Sequence, residues 1–264
     1  MNGQTTNNQD LEKGTSIQRN TSFNMDEIKV RWKKAALENC PGVPCVVAPS
    51  FTCGTSTVTD VDGNVYETVA IVGTGVTQCW TTTNLKVTKY NDGTLIPDLT
   101  SAGWPSTSGA RTGYDVSVVP LSDYVGTFGY LYNWYAVNDL RKLCPAGWHV
   151  PTDAEWTTLT TYLGGDGVAG TVMKSTETNL TSGSGLGWDP GSPGTNTSGF
   201  SVLPGGGRDN GGSFYGIRDN ANFWSGTEDG GGTAWYRSLF SGFGNVDRNF
   251  DDKSVGASVR CLRD

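Results

Sequence analysis

Hydrophobic positions recur with a helical period in only a few stretches of this 264-residue chain. Met25, Ile28, Trp32 and Ala35/Ala36 fall on one face of a segment that Asn24 can cap and Glu27 can close, and that Pro41-Gly42 stops. Lys29, Arg31, Lys33 and Lys34 make its other face basic. The best-specified helix lies within Pro151–Leu163. Thr152 is its cap, Glu155 completes a capping box, Trp156, Leu159 and Leu163 share a face, and Gly164-Gly165 ends it. Val168–Ser175 fits a second short helix.

Alternating positions predict strands. Val58–Val72 reads as a hairpin turning at Asp62-Gly63, and Tyr90–Thr94 as another turn. Phe223–Ser225, Ala234–Leu239 and Ala257–Cys261 read as three short strands. The aromatic run Phe128, Tyr130, Tyr132, Trp134 and Tyr135 reads as packing of a β-rich core. From Thr176 onward periodicity fades and Gly-rich loops dominate. The organisation that follows is a polar tail over 1–22, a helix and Cys/Pro-rich linker over 23–57, and an α+β domain over 58–264.

Composition narrows the function classes. Apolar residues make up 36% and charged residues 17%, with nine tryptophans, so the bulk of the chain is expected to fold. The net charge of −7 lacks the basic footprint of a general nucleic-acid binder. No apolar run is long enough to span a bilayer, and residues 1–24 carry no hydrophobic signal core. Six cysteines without a C-x-x-C pair, and His149 as the sole histidine, point away from zinc and toward disulfides in an oxidising destination. Six cysteines allow fifteen pairings, which the sequence does not choose among. The pairing carried forward is Cys144 with Cys261.

Catalytic constellations are sparse. Any triad would depend on His149, which sits beside a helix cap between Trp148 and Val150, where a structural hydrogen-bonding role is expected. Gly183-Ser184-Gly185-Leu186-Gly187 lacks the Lys-Ser/Thr of a phosphate loop, and Asp60-x-Asp62-Gly63-Asn64 lacks the glycine position and distal Glu of a calcium loop. Calcium is compatible with Asp209, Asn210, Asp219, Asn220, Asn222, Glu228 and Asp229 on Gly-rich loops, though no spacing requires it.

Several colinear motifs carry a resemblance. They are Asp60–Tyr66, Trp80 with Asn84-Leu85-Lys86, Lys89–Gly93, Tyr130-x-Tyr132-Asn133-Trp134-Tyr135-Ala136-Val137, and Cys144-Pro145-x-Gly147-Trp148-His149-Val150-Pro151. Phe223-Trp224-Ser225, Ala234–Arg237 and Ser258–Cys261 follow in order. Together, over Val58–Asp264, they resemble the Fibrobacter succinogenes major paralogous domain. That resemblance implies a C-type-lectin-like fold in its formylglycine-generating-enzyme variant, with two helices, small twisted antiparallel sheets and long irregular loops. Pro204-Gly205-Gly206-Gly207-Arg208 is similar to the Gly-Gly-Arg turn of that variant. The oxidase activity of that variant needs reactive, metal-binding cysteines, whereas Cys144 and Cys261 are expected to form a structural bridge.

A narrower resemblance is to the variable proteins of diversity-generating retroelements. Their AAY-codon mutagenesis cannot yield Lys, Glu, Gln, Trp or Met, and Ser238–Asp252 contains none of these. The function expected is a non-enzymatic binding module at a cell surface or on a phage virion, recognising a protein or glycan. Its expected ligand-binding residues are Tyr215, Trp235, Tyr236, Arg237, Ser238, Phe240, Phe243, Asn245, Asp247, Asn249, Phe250 and Asp251, on an irregular C-terminal loop surface. Aromatic anchors among small polar residues are how loop paratopes gain contact area. The alternative is a subunit of a fibre, pilus or sheath that self-associates through residues 1–40.

Overall fold

A computed structural model describes residues 50–73, 75–99, 103–114, 121–177, 186–189, 191 and 194–264. The compact unit runs from Phe51 to Asp264. The expected helix at Asn24–Glu38, and Cys40 and Cys45, lie outside the described residues. Phe51 packs edge-on against Trp148, and Cys53 is bonded to Cys79, which ties both into the Phe51–Asp264 unit.

The first strands are short. β1 (Val58–Thr59) pairs antiparallel with β2 (Val65–Tyr66). The expected hairpin therefore ends early. From β3 (Thr68–Gly73) the chain pairs instead with β4 (Val76–Thr81). The β1–β2 turn satisfies its own carboxylates, which explains its likeness to a calcium loop. Asp60 accepts from the Asp62 and Asn64 amides and from the Tyr66 hydroxyl, while Asp62 accepts from Thr88 and pairs with Lys89.

The aromatic run contains little strand. α1 (Leu121–Phe128), β6 (Leu131–Tyr132) and α2 (Trp134–Val137) divide it, with β6 pairing to β5 (Arg111–Thr112). Its packing role holds: Phe128, Tyr132 and Trp134 are buried. Asn133 caps α2 by accepting from the Ala136 amide, and its side chain also ties in the 106–110 segment.

β7 (Trp148–His149) leads into α3 (Asp153–Tyr162), which has the predicted capping box between Thr152 and Glu155. Trp156 and Leu159 are fully buried, with Trp156 against Trp80, Phe200 and Phe223. α4 (Asp166–Met173) follows after Gly164-Gly165. β13 (Leu262–Arg263) lies between β4 and β7 in a four-stranded sheet, order β3-β4-β13-β7. Ala257–Cys261, expected as a strand, makes only isolated bridges, and regular pairing begins at Leu262.

The second large sheet has the order β12-β11-β10-β8-β9: β8 (Gly205–Arg208), β9 (Phe214–Ile217), β10 (Asn220–Gly230), β11 (Thr233–Phe240) and β12 (Asp247–Asp252). This corrects the expectation of dominant irregular loops. β10 runs for eleven residues, and Ser238–Asp252, expected as a loop, is the end of one strand, a turn and an edge strand. Asn, Asp and Arg hide this strand because β12 is an edge strand whose residues are half-buried or exposed throughout, so no apolar alternation results. The architecture is α+β.

Cys144 and Cys261 are joined, with a Cα separation of 5.8 Å, as are Cys53 and Cys79. Beside the first bridge, His149 spans two elements. Its Nδ1 lies 2.6 Å from Asp264 Oδ1 and its Nε2 3.1 Å from both carboxylate oxygens of Glu155. The end of the chain is thereby fastened to the cap of α3.

Candidate ligand-binding face

Strand alternation divides the C-terminal hairpin into two faces, and the register fixes which residues share them. Trp235 lies opposite Phe250, and Arg237 opposite Arg248. These four face the side of α3. Tyr236 lies opposite Asn249, Ser238 opposite Asp247, and Ala234 opposite Asp251 on the other side. On β10, Asn222 and Trp224 join that second side, opposite Ser238 and Tyr236.

The α3 side is a structural brace. Arg237 is buried, and its Nη1 donates to Asp153 Oδ1 at 2.7 Å, while Nη2 donates to the Asp153 carbonyl and to Thr157 Oγ1. Arg248 reaches the same carboxylate from the edge strand through Nε (3.0 Å) and Nη2 (2.9 Å). The Arg248 guanidinium also lies 3.5 Å above the Trp235 ring, which meets Phe250 edge-on. Burial alone would push the Asp153 carboxyl up, but the guanidiniums of Arg248 and Arg237 outweigh it and hold the group below the usual carboxylate range. Glu155 is also lowered, its burial outweighed by bonds from the Thr152 amide and hydroxyl and from His149.

The opposite side is the candidate site. Ser238 Oγ donates to Asn222 Oδ1 at 2.7 Å, and Asn222 Nδ2 lies 3.4 Å from the Tyr215 hydroxyl. Gly207 makes room for this arrangement, since a Cβ there would stand 2.7 Å from that hydroxyl. Tyr215, Tyr236, Asp247 and Asp251 are half-buried and Asn249 is exposed. The Tyr236 ring rests edge-on against buried Trp224. Burial raises both tyrosine hydroxyls, with Asp251 adding to each. Burial also raises the Asp251 carboxyl, against the hydrogen bond from the Asp252 amide, and the Asp252 charge adds to the rise.

The expected site residues therefore separate. Tyr215, Tyr236, Asp247, Asn249 and Asp251 come together on one face. Arg237 and Ser238 are buried, so they support the sheet instead of forming its exposed surface. Trp235 and Phe250 lie on the α3 side. Phe243 sits in the β11–β12 turn, 64% exposed, and Phe240 closes β11 on the side away from Phe250. The three phenylalanines thus do not form one patch. Asn245 is half-buried in the turn and bonded to Asp247.

Residues outside the expected set do much of the positioning. Asp153, an acid in the first turn of α3, joins Arg237 and Arg248, a meeting that no spacing in the sequence announces. Lys174, directly after α4, is fully buried and donates to the Phe240, Ser241 and Phe243 carbonyls. Burial pushes its ammonium down to about 8. Gly170 allows the same turn to lie against α4: a Cβ there would stand 2.3 Å from the Asn245 carbonyl oxygen. Lys174→Met is expected to cost about 1–3 kcal/mol, because those turn carbonyls lose a buried donor. Urea unfolding would measure the loss, and amide exchange should localise it to residues 240–246.

Among the described residues, no group of three or more His, Cys, Asp or Glu side chains is gathered around a common point, and no helix is long and apolar enough to cross a membrane. Glu228 is engaged by Lys253, and Asp219 accepts from Ser241.

Fold and site define a disulfide-bonded α+β domain that presents a polar, aromatic sheet face braced from behind by a buried ion pair. Residues 75–263 match the model of the Fibrobacter succinogenes major domain, and the chain belongs to that family. No curated protein and no solved structure matches the chain.

Proposed function

We propose that this domain is a non-enzymatic binding module that takes a protein or glycan ligand on the uncovered part of the β12-β11-β10-β8-β9 sheet face that points away from α3. The observation that carries this reading is the gathering of Tyr215, Tyr236, Asp247, Asn249 and Asp251 on one side of the sheet. Two tyrosine rings supply contact area at little entropic cost, and the carboxylates and amide supply directional hydrogen bonds. The Asp153–Arg237 brace and the Ser238–Asn222–Tyr215 chain hold this face before a ligand arrives, which reduces the ordering cost of binding.

The finer reading is a C-type-lectin-like fold displayed at a cell surface or on a virion. Two disulfides support an oxidising destination. If Ser238–Asp252 is diversified, the burial pattern divides it. Ser238, Leu239, Ser241 and Val246 are buried and Arg248 is engaged by Asp153, which leaves the exposed positions Gly242, Phe243, Asn249 and Phe250 freest to vary.

The test is a screen of the full chain on a glycan array and a cell-surface protein array. Tyr236→Ala and Asp251→Ala are expected to weaken the recovered interactions at least about tenfold, or roughly 1.4 kcal/mol. Phe243→Ala, away from the face on the turn, should leave them intact. Interactions that survive both face variants, or that fail only with Phe243→Ala, would overturn the assignment.

A further inference from the structure

β12 ends the five-stranded sheet, so one of its edges faces no other strand of that sheet. Backbone parity tells which residues own this edge. The Lys253 amide donates to the Gly232 carbonyl, and in an antiparallel ladder hydrogen-bonded pairs alternate with unbonded ones. Asp247, Asn249 and Asp251 therefore turn their backbone groups toward β11, while Arg248, Phe250 and Asp252 turn theirs outward. The Asp252 amide agrees with this parity, since it donates to the Asp251 carboxylate.

The edge is reachable: Arg248, Asn249 and Phe250 are all exposed, Phe250 to 53%. Edge strands are commonly protected from further pairing by a proline or a bulge. The segment DRNFDD contains no proline, and its pairing with β11 runs without a register shift. Charge is what it does carry, Arg248 beside Asp247, Asp251 and Asp252. Like charges directly opposite one another disfavour pairing and opposite charges favour it, so the order of these residues selects the strand that can be added.

A second copy of β12, running antiparallel, satisfies that order in one register. Centred on Phe250, the register sets Arg248 opposite Asp252 of the second copy, Asn249 opposite Asp251, and Phe250 opposite itself. The arginine meets a carboxylate, the asparagine amide can donate to another, and the two exposed rings meet on the axis. Asp247 falls opposite Lys253, which Glu228 already engages in its own chain. The neighbouring registers fail. Centring on Arg248 opposes two guanidiniums, centring on Asn249 sets Asp247 against Asp251, and centring on Asp251 or Asp252 opposes two carboxylates. Arg248 holds Asp153 through Nε and Nη2, so its Nη1 can serve a second carboxylate.

We infer that β12 is a self-association edge, through which two copies of this chain pair antiparallel about Phe250 and join their five-stranded sheets into one. The two-fold axis stands perpendicular to the joined sheet and preserves its faces, so both candidate ligand faces point the same way and the pair can bind two sites on one surface. The pairing does not rest on the sheet-face reading, and failure of one leaves the other standing.

The experiment is sedimentation velocity of the full chain over a concentration series. The unaltered chain is expected to move toward dimer mass with a Kd of roughly 100 µM, in the range of small transient interfaces. Phe250→Lys and Phe250→Glu each place like charges on the axis and should stay monomeric while remaining folded by circular dichroism. A mixture of the two should recover the dimer. Phe250→Cys should form an intermolecular disulfide under mild oxidation, because directly opposite hydrogen-bonded residues have Cα atoms about 5.5 Å apart. Asn249→Cys, whose opposite residue is Asp251, should not. A chain monomeric up to about 1 mM, a dimer that survives Phe250→Lys, no recovery in the mixture, or equal cross-linking at 249 and 250 would each overturn the assignment.

Discussion

Asp153→Ala is expected to destabilise the domain by about 3–5 kcal/mol, the range seen when one partner of a buried ion pair is removed. The Arg237 side chain is 1% exposed and Asp153 is 15% exposed, so the guanidinium cannot recover its hydration when the carboxylate goes. What remains for it is the Thr157 hydroxyl and backbone carbonyls. Arg248→Ala, on the solvent side of the same carboxylate, should cost no more than about 1 kcal/mol. Arg237→Met combined with Asp153→Ala should recover much of the loss, since an apolar replacement leaves no buried charge unpaired.

The same carboxylate gives the stability an acid limb. Asp153 and Glu155 are both lowered in the folded state. Their contribution is complete above the ordinary carboxylate range and is lost as pH falls through their lowered folded values. Asp251, raised in the folded state, has the opposite sign and gains as pH falls. Tm measured from about pH 6 down to about pH 2 should therefore fall, and the fall should be shallower in the Asp153→Ala and Arg237→Met double variant. An unchanged slope would show that this pair does not govern acid stability.

Breaking the Cys144–Cys261 bridge is expected to cost about 2–5 kcal/mol. Its ends are 117 residues apart, and for a loop of that length the chain-entropy argument gives roughly 5 kcal/mol. The Cys53–Cys79 bridge spans 26 residues and should contribute less, roughly 3.5 kcal/mol. Chemical denaturation of Cys144→Ala/Cys261→Ala beside Cys53→Ala/Cys79→Ala would rank them. Equal losses, or a greater loss from the shorter loop, would contradict the entropic account. The longer bridge also holds β13 between β4 and β7, so its loss should increase exchange at Trp80 and His149.

Features written in short-range chemistry were legible before any coordinates. The Thr152–Glu155 box, the Trp156/Leu159 face and the Gly164-Gly165 stop each lie within one or two turns of chain, and all three appear as expected. The family was legible for a different reason: its motifs are many and colinear. The β12 strand was not legible. DRNFDD has no apolar alternation, and it becomes a strand because β11 offers an open edge to pair with.

The sequence by itself determined the α+β class, the capped helix, the family and the cysteines that frame the C-terminal region. Tertiary structure alone decided which expected residues face outward. Strand parity is absolute once a register is set: pairing Trp235 with Phe250 sends both to the α3 side, and sends Tyr236, Asn249 and Asp251 to the other. That register depends on contacts between residues far apart in the chain, such as Asp153 with Arg237 and Lys174 with the Phe240 carbonyl, and no local pattern encodes it.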